Sequence, residues 1–172
     1  MRTHRHALAL LPLLLLGAAL LAPPAAAQAA AAVRISGDVP RPVTLRVPEL
    51  AALPRTRVEV GEHGNPPVVY EGVLLSTVLE RAGVQFGKEL RGARLATAVV
   101  VDAADGYHVT FGIAELDSAF TARRVLLVDR AAGEPLNAAE GPLRLVISGE
   151  SRPARWVRQV VGIRVIVPPP PG

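Results

Sequence analysis

Short β-rich runs separated by turn residues, without a regular strand–helix repeat, place the strongest limits on how this chain can fold. Two such runs flank Asp105-Gly106, a pair that favours a hairpin, and RRVLLVDR, LRLVIS and residues 156–167 are predicted to be further strands. Helical patterns are short: the clearest runs from Leu74 to Ala82 and stops at Gly83, and IAELDSAF is another. The sequence therefore predicts an α+β fold, a single domain with one mixed β-sheet covered by short helices.

The chain divides into three segments by composition. Residues 1–27 join a basic start to an apolar stretch, Ala7 to Ala22, and then to small residues, which is the pattern of a secretory signal peptide. Residues 28–167 form the predicted domain, and residues 168–172 are a proline-rich tail. Since no later segment is long and apolar enough to span a bilayer, we expect a soluble protein that is periplasmic or secreted.

Charge and cysteine content exclude several classes of function. The chain has 19 Lys+Arg and 15 Asp+Glu, and removal of the two arginines within residues 1–27 lowers its net charge from +4 to +2. With so little excess charge and 3% aromatic residues, we expect no nucleic-acid partner. The chain contains no cysteine, so it has no disulfide and no thiolate for a soft metal, and its histidines lack the spacing of a zinc site. No metal ligand is therefore predicted.

Four segments carry a family resemblance: YEGVLLSTVLERAGV, DGYHVTFGIAELD, RRVLLVDRAAGEPLNAAEGPLRLVISGE and SRPARWVRQVVGIRVI. Their order and spacing, from about Val33 to Val167, resemble the molybdopterin-binding domain of the sulfite-oxidase family, especially its small exported members. The resemblance implies a mixed α+β domain that holds a pyranopterin in a cleft, with basic side chains and backbone amides at its terminal phosphate. It also implies a cysteine thiolate bound to molybdenum, on the loop before the equivalent of YEGV. Here that loop is GEHGNPP, residues 61–67, which has no thiolate.

Three arginines are candidates for binding the pterin phosphate. The resemblance places Arg152 and Arg155 of SRPARWV where catalytic relatives carry basic residues near that phosphate, and Arg144 is close in sequence. A planar guanidinium suits this role because it can bond two phosphate oxygens at once. Arg158 is also close in sequence, and both Arg144 and Arg158 are alternatively expected on the solvent-exposed face of a strand. Trp156, the only tryptophan, is expected to anchor the core.

Two histidines complete the predicted cofactor-binding residues. His63 lies in the loop that lacks the thiolate and is the nearest nitrogen donor there. It is either itself a ligand or a proton donor, or an ordinary surface residue. His108 follows Tyr107 directly after the hairpin turn. Either His108 faces the cleft, where Tyr107 would flank a planar ligand, or it points at water while Tyr107 packs under the turn.

The missing thiolate leaves three hypotheses about function. The first is a binding or accessory module for a pterin, a small anion or an envelope redox partner. The second is a molybdopterin-dependent oxidoreductase that holds its cofactor through the pterin and its phosphate alone, or with His63. The third is a structural domain with an empty cleft. The start MRTHRH lacks the paired arginines of the twin-arginine export route, which favours the first hypothesis, and no catalytic residue is predicted.

Overall fold

The computed structural model describes residues 31–61 and 66–169. The predicted signal peptide, residues 1–27, lies outside the described residues, as do residues 170–172 of the proline-rich tail, and both segments stay predictions. Within the described ranges no helix is long and apolar enough to cross a membrane.

The described residues contain ten strands and two α-helices joined by short turns. The strands are β1 (Ala32–Gly37), β2 (Val43–Arg46), β3 (Thr56–Val60), β4 (Val68–Leu74), β5 (Ala98–Ala103), β6 (His108–Gly112), β7 (Val125–Ala131), β8 (Glu134–Pro135), β9 (Arg144–Ile147) and β10 (Val160–Ile166). The helices are α1 (Val47–Ala51) and α2 (Leu75–Glu80), with 3₁₀ turns at Gly87–Glu89, Gly92–Ala96, Ile113–Leu116 and Pro153–Arg155.

The strands form two sheets instead of the one sheet expected. The first has the order β2-β1-β10-β5-β6 and is mixed, because β1 and β10 are parallel, with Ile35 opposite Ile163, while its other neighbours are antiparallel. The second has the order β3-β4-β7-β8, with β9 also paired to β7, and is antiparallel. The predicted α+β fold with short helices is confirmed. The number of sheets was missed because alternation marks a strand but does not identify its partners.

One hydrophobic core includes buried residues from both sheets. In the first sheet burial alternates along β6, where Val109 and Phe111 are buried between exposed neighbours, whereas β5 is buried from Val99 to Val101. In the second sheet β7 is buried from Val125 to Asp129, and β9 is buried throughout. A strand that is covered on both faces needs a continuous apolar run, which explains the sequences VLLV and LVI.

Two predicted elements are shorter in the structure than the sequence pattern suggests. The strand predicted for residues 156–167 begins only at Val160, because Trp156 turns into the core and Gln159 adopts a φ of 48°. The helix predicted for IAELDSAF is a single 3₁₀ turn that ends at Leu116, after which Asp117 is extended. α2 matches its prediction more closely: Leu75, Val78 and Leu79 are fully buried at helical spacing.

Candidate ligand-binding cleft

A cleft of about 250 Å³ opens where three segments of the chain meet. The turn between β5 and β6 contributes Asp105 and Tyr107, β9 contributes its first residue, Arg144, and the segment before β10 contributes Trp156 and Arg158. β5 and β10 are antiparallel neighbours, so the turn after β5 and the segment before β10 lie at the same end of the first sheet. The sheet pairing thus assembles the cleft from residues far apart in sequence.

Arg144 is a buried cation beside this cleft. Its Nη1 donates to the carboxylate of Glu140 at 2.6 Å and to the hydroxyl of Tyr70 at 3.1 Å. Only 1% of the residue is exposed, so the alternative that placed Arg144 on the solvent-exposed face of a strand is wrong. Because β9 is buried on both faces, the alternation of its side chains gives it no solvent-exposed face. A buried charge needs such partners because its desolvation is otherwise very costly.

Trp156 packs against the same group of side chains. Its ring meets the Tyr70 ring edge-to-face, with centroids 6.1 Å apart and planes at 82°. The guanidinium carbon of Arg144 lies 5.5 Å from the centroid of each ring. The expectation that Trp156 anchors the core is confirmed, but its buried Nε1 has no hydrogen-bond partner within the described part of the chain. Because buried donors are nearly always paired, this N–H is a candidate contact for an ordered water or a ligand acceptor.

Tyr107 and His108 follow the hairpin turn and face different surroundings. The Tyr107 side chain lines the cleft, and its hydroxyl donates to the backbone oxygen of Ala154 at 2.7 Å. The residue is 50% exposed, so it flanks the cleft and is not packed under the turn. His108 is exposed on β6, with Nδ1 3.3 Å from the backbone oxygen of Gly106. Each of the two alternatives is therefore right for one residue: Tyr107 flanks the cleft, as the first supposed, and His108 points at water, as the second supposed.

Arg155 belongs to a separate group of charges. Its Nη2 donates to both carboxylate oxygens of Glu150, at 2.9 and 3.0 Å, and its Nη1 donates to Glu115 at 3.0 Å. The guanidinium carbon lies 4.7 Å from the centroid of the Phe111 ring. Burial alone would lower the pKa of Arg155, but the hydrogen bonds and charges of the two carboxylates outweigh it and raise the pKa. Arg155 is therefore a charged group whose partners come from its own chain.

The other predicted residues are more open or lie outside the described ranges. Arg152 and Arg158 are exposed, and neither has an ion-pair partner among residues 31–61 and 66–169. Arg158 lines the cleft, whereas Arg152 directly precedes Pro153, another lining residue. His63 lies outside the described residues, so its role stays a prediction.

The predicted site residues do not form one group. Arg144 lies at the cleft, Arg155 lies in the separate group of charges with Glu115 and Glu150, and His108 is exposed on a strand. Sequence reasoning missed the acids that pair with the two arginines. A local signal was available for two of them, since Glu140 precedes Arg144 by four residues and Glu150 precedes Arg155 by five.

A second, larger cleft of about 540 Å³ has a different lining, which includes Glu80, Asp117 and Arg123. The Asp117 carboxylate accepts hydrogen bonds from the backbone N–H groups of Gly87, at 2.6 Å, and Ala119, at 2.9 Å. This carboxylate therefore joins two loops. The lining contains none of the residues predicted from the sequence to bind a cofactor.

The class of protein follows from the fold together with the sequence comparison. Residues 21–172 match the family described as the oxidoreductase molybdopterin binding domain, and because the match covers most of the chain, the chain belongs to that family. The resemblance drawn from the four sequence segments is thereby confirmed.

A solved structure supports the fold. The chain is similar to the crystal structure of the sulfane dehydrogenase SoxCD from Paracoccus pantotrophus, with a TM-score of 0.65 and 20% sequence identity. The similarity covers 82% of this chain but 39% of that chain, so this protein spans about two fifths of the length of the SoxCD chain that it matches. At this identity the similarity shows the fold alone. No curated protein matches the sequence.

The residues present do not fit a molybdenum atom held by a protein thiolate. The sequence contains no cysteine, and no group of three or more His, Asp or Glu in the described ranges could hold a metal ion. Arg155, a predicted phosphate contact, is already bonded to two carboxylates. The cleft, at about 250 Å³, is also smaller than the roughly 300–1,000 Å³ typical of pockets for drug-sized ligands.

Proposed function

We propose that this protein is an exported binding module of the molybdopterin oxidoreductase family that does not hold molybdenum through a thiolate. The observation that carries the proposal is the absence of cysteine from a chain that belongs to this family. The family resemblance implies a soft, charged sulfur ligand for the metal, and no other side chain supplies one. The module therefore acts by binding, as an accessory to a reaction carried out elsewhere.

A small anion is the ligand that best fits the cleft. Arg158 supplies an exposed guanidinium with no ion-pair partner in the described ranges, and Tyr107 supplies an apolar wall with half of its surface exposed. Trp156 adds a buried N–H for which residues 31–61 and 66–169 supply no acceptor. Asp105 is also in the lining, where its carboxylate accepts the backbone N–H of Tyr107 and holds the turn. The small volume favours a compact anion over a complete pterin cofactor.

Export is the second part of the proposal. It is supported by the basic start, apolar stretch and small residues of positions 1–27, which are typical of a signal peptide. Because the start has no paired arginines, export of an unfolded chain is favoured, and such a chain would cross the membrane without a bound cofactor. We expect the mature protein in the envelope or the medium, with an N-terminus near Gln28 by mass spectrometry.

The proposal is tested by elemental analysis for molybdenum, together with pterin fluorescence after acid oxidation, on protein purified from its native host. We expect molybdenum far below one atom per chain. Pterin without molybdenum would support the proposal of a binding module and would identify the pterin as its ligand. Molybdenum and pterin at one equivalent each would overturn the proposal.

A molybdopterin-dependent oxidoreductase with atypical cofactor binding is the second candidate, and the family match over residues 21–172 favours it. In that case the pterin and its phosphate would hold the cofactor, alone or with His63. The cofactor content of purified protein should then fall in the variants His63→Ala and Arg155→Ala. Unchanged content in both variants would count against this site.

A further inference from the structure

Arg155 corresponds by resemblance to a phosphate contact, yet its hydrogen-bonding groups are directed at acids of the same chain. We propose that Glu150 and Glu115 take the place of a ligand oxyanion on Arg155, so that the arginine forms a closed, latent phosphate or sulfate site. The inference rests on the proposed function in one respect, because it requires that no pterin phosphate is bound at Arg155.

The hydrogen bonds place the two carboxylates in competition with a ligand for Arg155. An arginine binds an oxyanion through the N–H groups of its planar fork. In Arg155 both terminal nitrogens are engaged, Nη2 by the two oxygens of Glu150 and Nη1 by Glu115. A phosphate that bonded to Nη1 and Nη2 together would have to displace at least one of these carboxylates.

The charges around Arg155 also balance without a ligand. Nη1 of Arg123 lies 3.9 Å from an oxygen of Glu150, so two arginines and two glutamates form one group with no net charge. The Glu150 side chain is only 13% exposed, and partly buried pairs are screened by salt less than surface pairs are. An incoming anion therefore meets a neutral group instead of an excess of positive charge.

The turn between β9 and β10 builds this arrangement locally. Gly149, with a φ of 69°, reverses the chain just before Glu150, and Pro153 begins the 3₁₀ turn that ends with Arg155. Glu150 and Arg155 thus face each other across a single turn. Glu115 comes from the 3₁₀ turn after β6, and its side chain is the more exposed of the two acids, at 43%. Glu150 is therefore the principal partner that keeps the site closed.

Isothermal titration calorimetry of the purified protein with inorganic phosphate tests this inference. The wild type should show no saturable binding that depends on Arg155. The variant Glu150→Gln keeps the size of the side chain but removes its charge, and it should bind phosphate about tenfold or more tightly than the wild type. The double variant Glu150→Gln/Arg155→Gln should lose this gain, and Glu59→Gln, at an exposed position on β3, is the matched control for charge.

Thermal unfolding of each variant verifies that it is folded, and Glu115→Gln opens the same group if Glu150→Gln does not fold. Phosphate binding by the wild type that Arg155→Gln abolishes would overturn the inference. Equal phosphate affinities of the wild type and folded Glu150→Gln would also overturn it. If Glu150→Gln does not fold, the same comparison is made between the wild type and Glu115→Gln. Failure of the proposed function is seen separately, as molybdenum and pterin in the purified protein.

Discussion

Replacing Tyr70 by phenylalanine tests whether the buried charge of Arg144 depends on the tyrosine hydroxyl. That hydroxyl accepts a hydrogen bond from Arg144 Nη1 at 3.1 Å, while the ring would keep its edge-to-face contact with Trp156. A hydrogen bond to a charged group contributes about 1.5–3 kcal/mol to stability. Because the same Nη1 also donates to Glu140, we expect the lower end, a fall of about 1.5 kcal/mol in the free energy of unfolding. For a domain of this size the Tm should fall by about 4–6 °C.

The assay is urea unfolding at neutral pH, compared at equal m-values so that the midpoint reports stability. The chain has two tyrosines, which provides a matched control. Tyr107→Phe removes a hydroxyl that also makes a hydrogen bond, to Ala154, but from a residue that is 50% exposed. Its free energy of unfolding should change by no more than about 0.5 kcal/mol. Equal losses in the two variants, or no loss in Tyr70→Phe, would refute the argument that burial makes the Arg144 contact important.

Two further predictions concern the fold around the site. Gly72→Ala should lower the free energy of unfolding by about 1–3 kcal/mol, because the new Cβ would lie 2.2 Å from the backbone oxygen of Leu127. Calorimetry should show a clearly smaller loss for Gly112→Ala, whose Cβ meets only a side-chain oxygen at 3.8 Å. The Arg164 hydrogen bond lowers the pKa of Asp102 below its usual 3.8, so the Asp102 carboxylate stabilises the fold above that pH and this contribution is lost as the pH falls through the lowered pKa. As the pH falls from about 5 to about 2, the free energy of unfolding should therefore decrease less in Asp102→Asn than in the wild type. If the difference in unfolding free energy between the two proteins is constant across this range, the assignment is contradicted.

Local structure was predictable where the sequence carries its own backbone chemistry. Gly106 adopts a φ of 88° in the turn between β5 and β6, as the Asp-Gly pair indicates. Gly83 follows α2 with a φ of 87°, which is typical of a residue that ends a helix. These features depend on neighbours in sequence, and no tertiary contact is needed to find them. The family resemblance then extended the prediction from single elements to the whole fold.

Tertiary pairing was not predictable in the same way. The split into two sheets requires β10 to pair with β1, about 130 residues earlier, and nothing in either strand identifies the other. The environment of Arg144 was missed for a related reason. A charged residue at the start of a strand suggests a solvent-exposed face, but β9 is covered on both sides. Glu140 lies only four residues before Arg144, whereas the Tyr70 hydroxyl lies 74 residues away and is brought to the arginine only by folding.

A resemblance locates an arginine, but the acids around it decide whether it can bind a ligand. Arg155 occupies a position that the family resemblance assigns to phosphate, yet one of its two acids, Glu115, lies 40 residues away and is brought to it only by folding. Arg158 was expected simply on the solvent-exposed face of a strand, and it is the arginine that lines the cleft with no ion-pair partner in the described part of the chain. Since an anion gains most from a cation that has no carboxylate to displace, Arg158 and not Arg155 is the arginine through which this cleft would first engage a ligand.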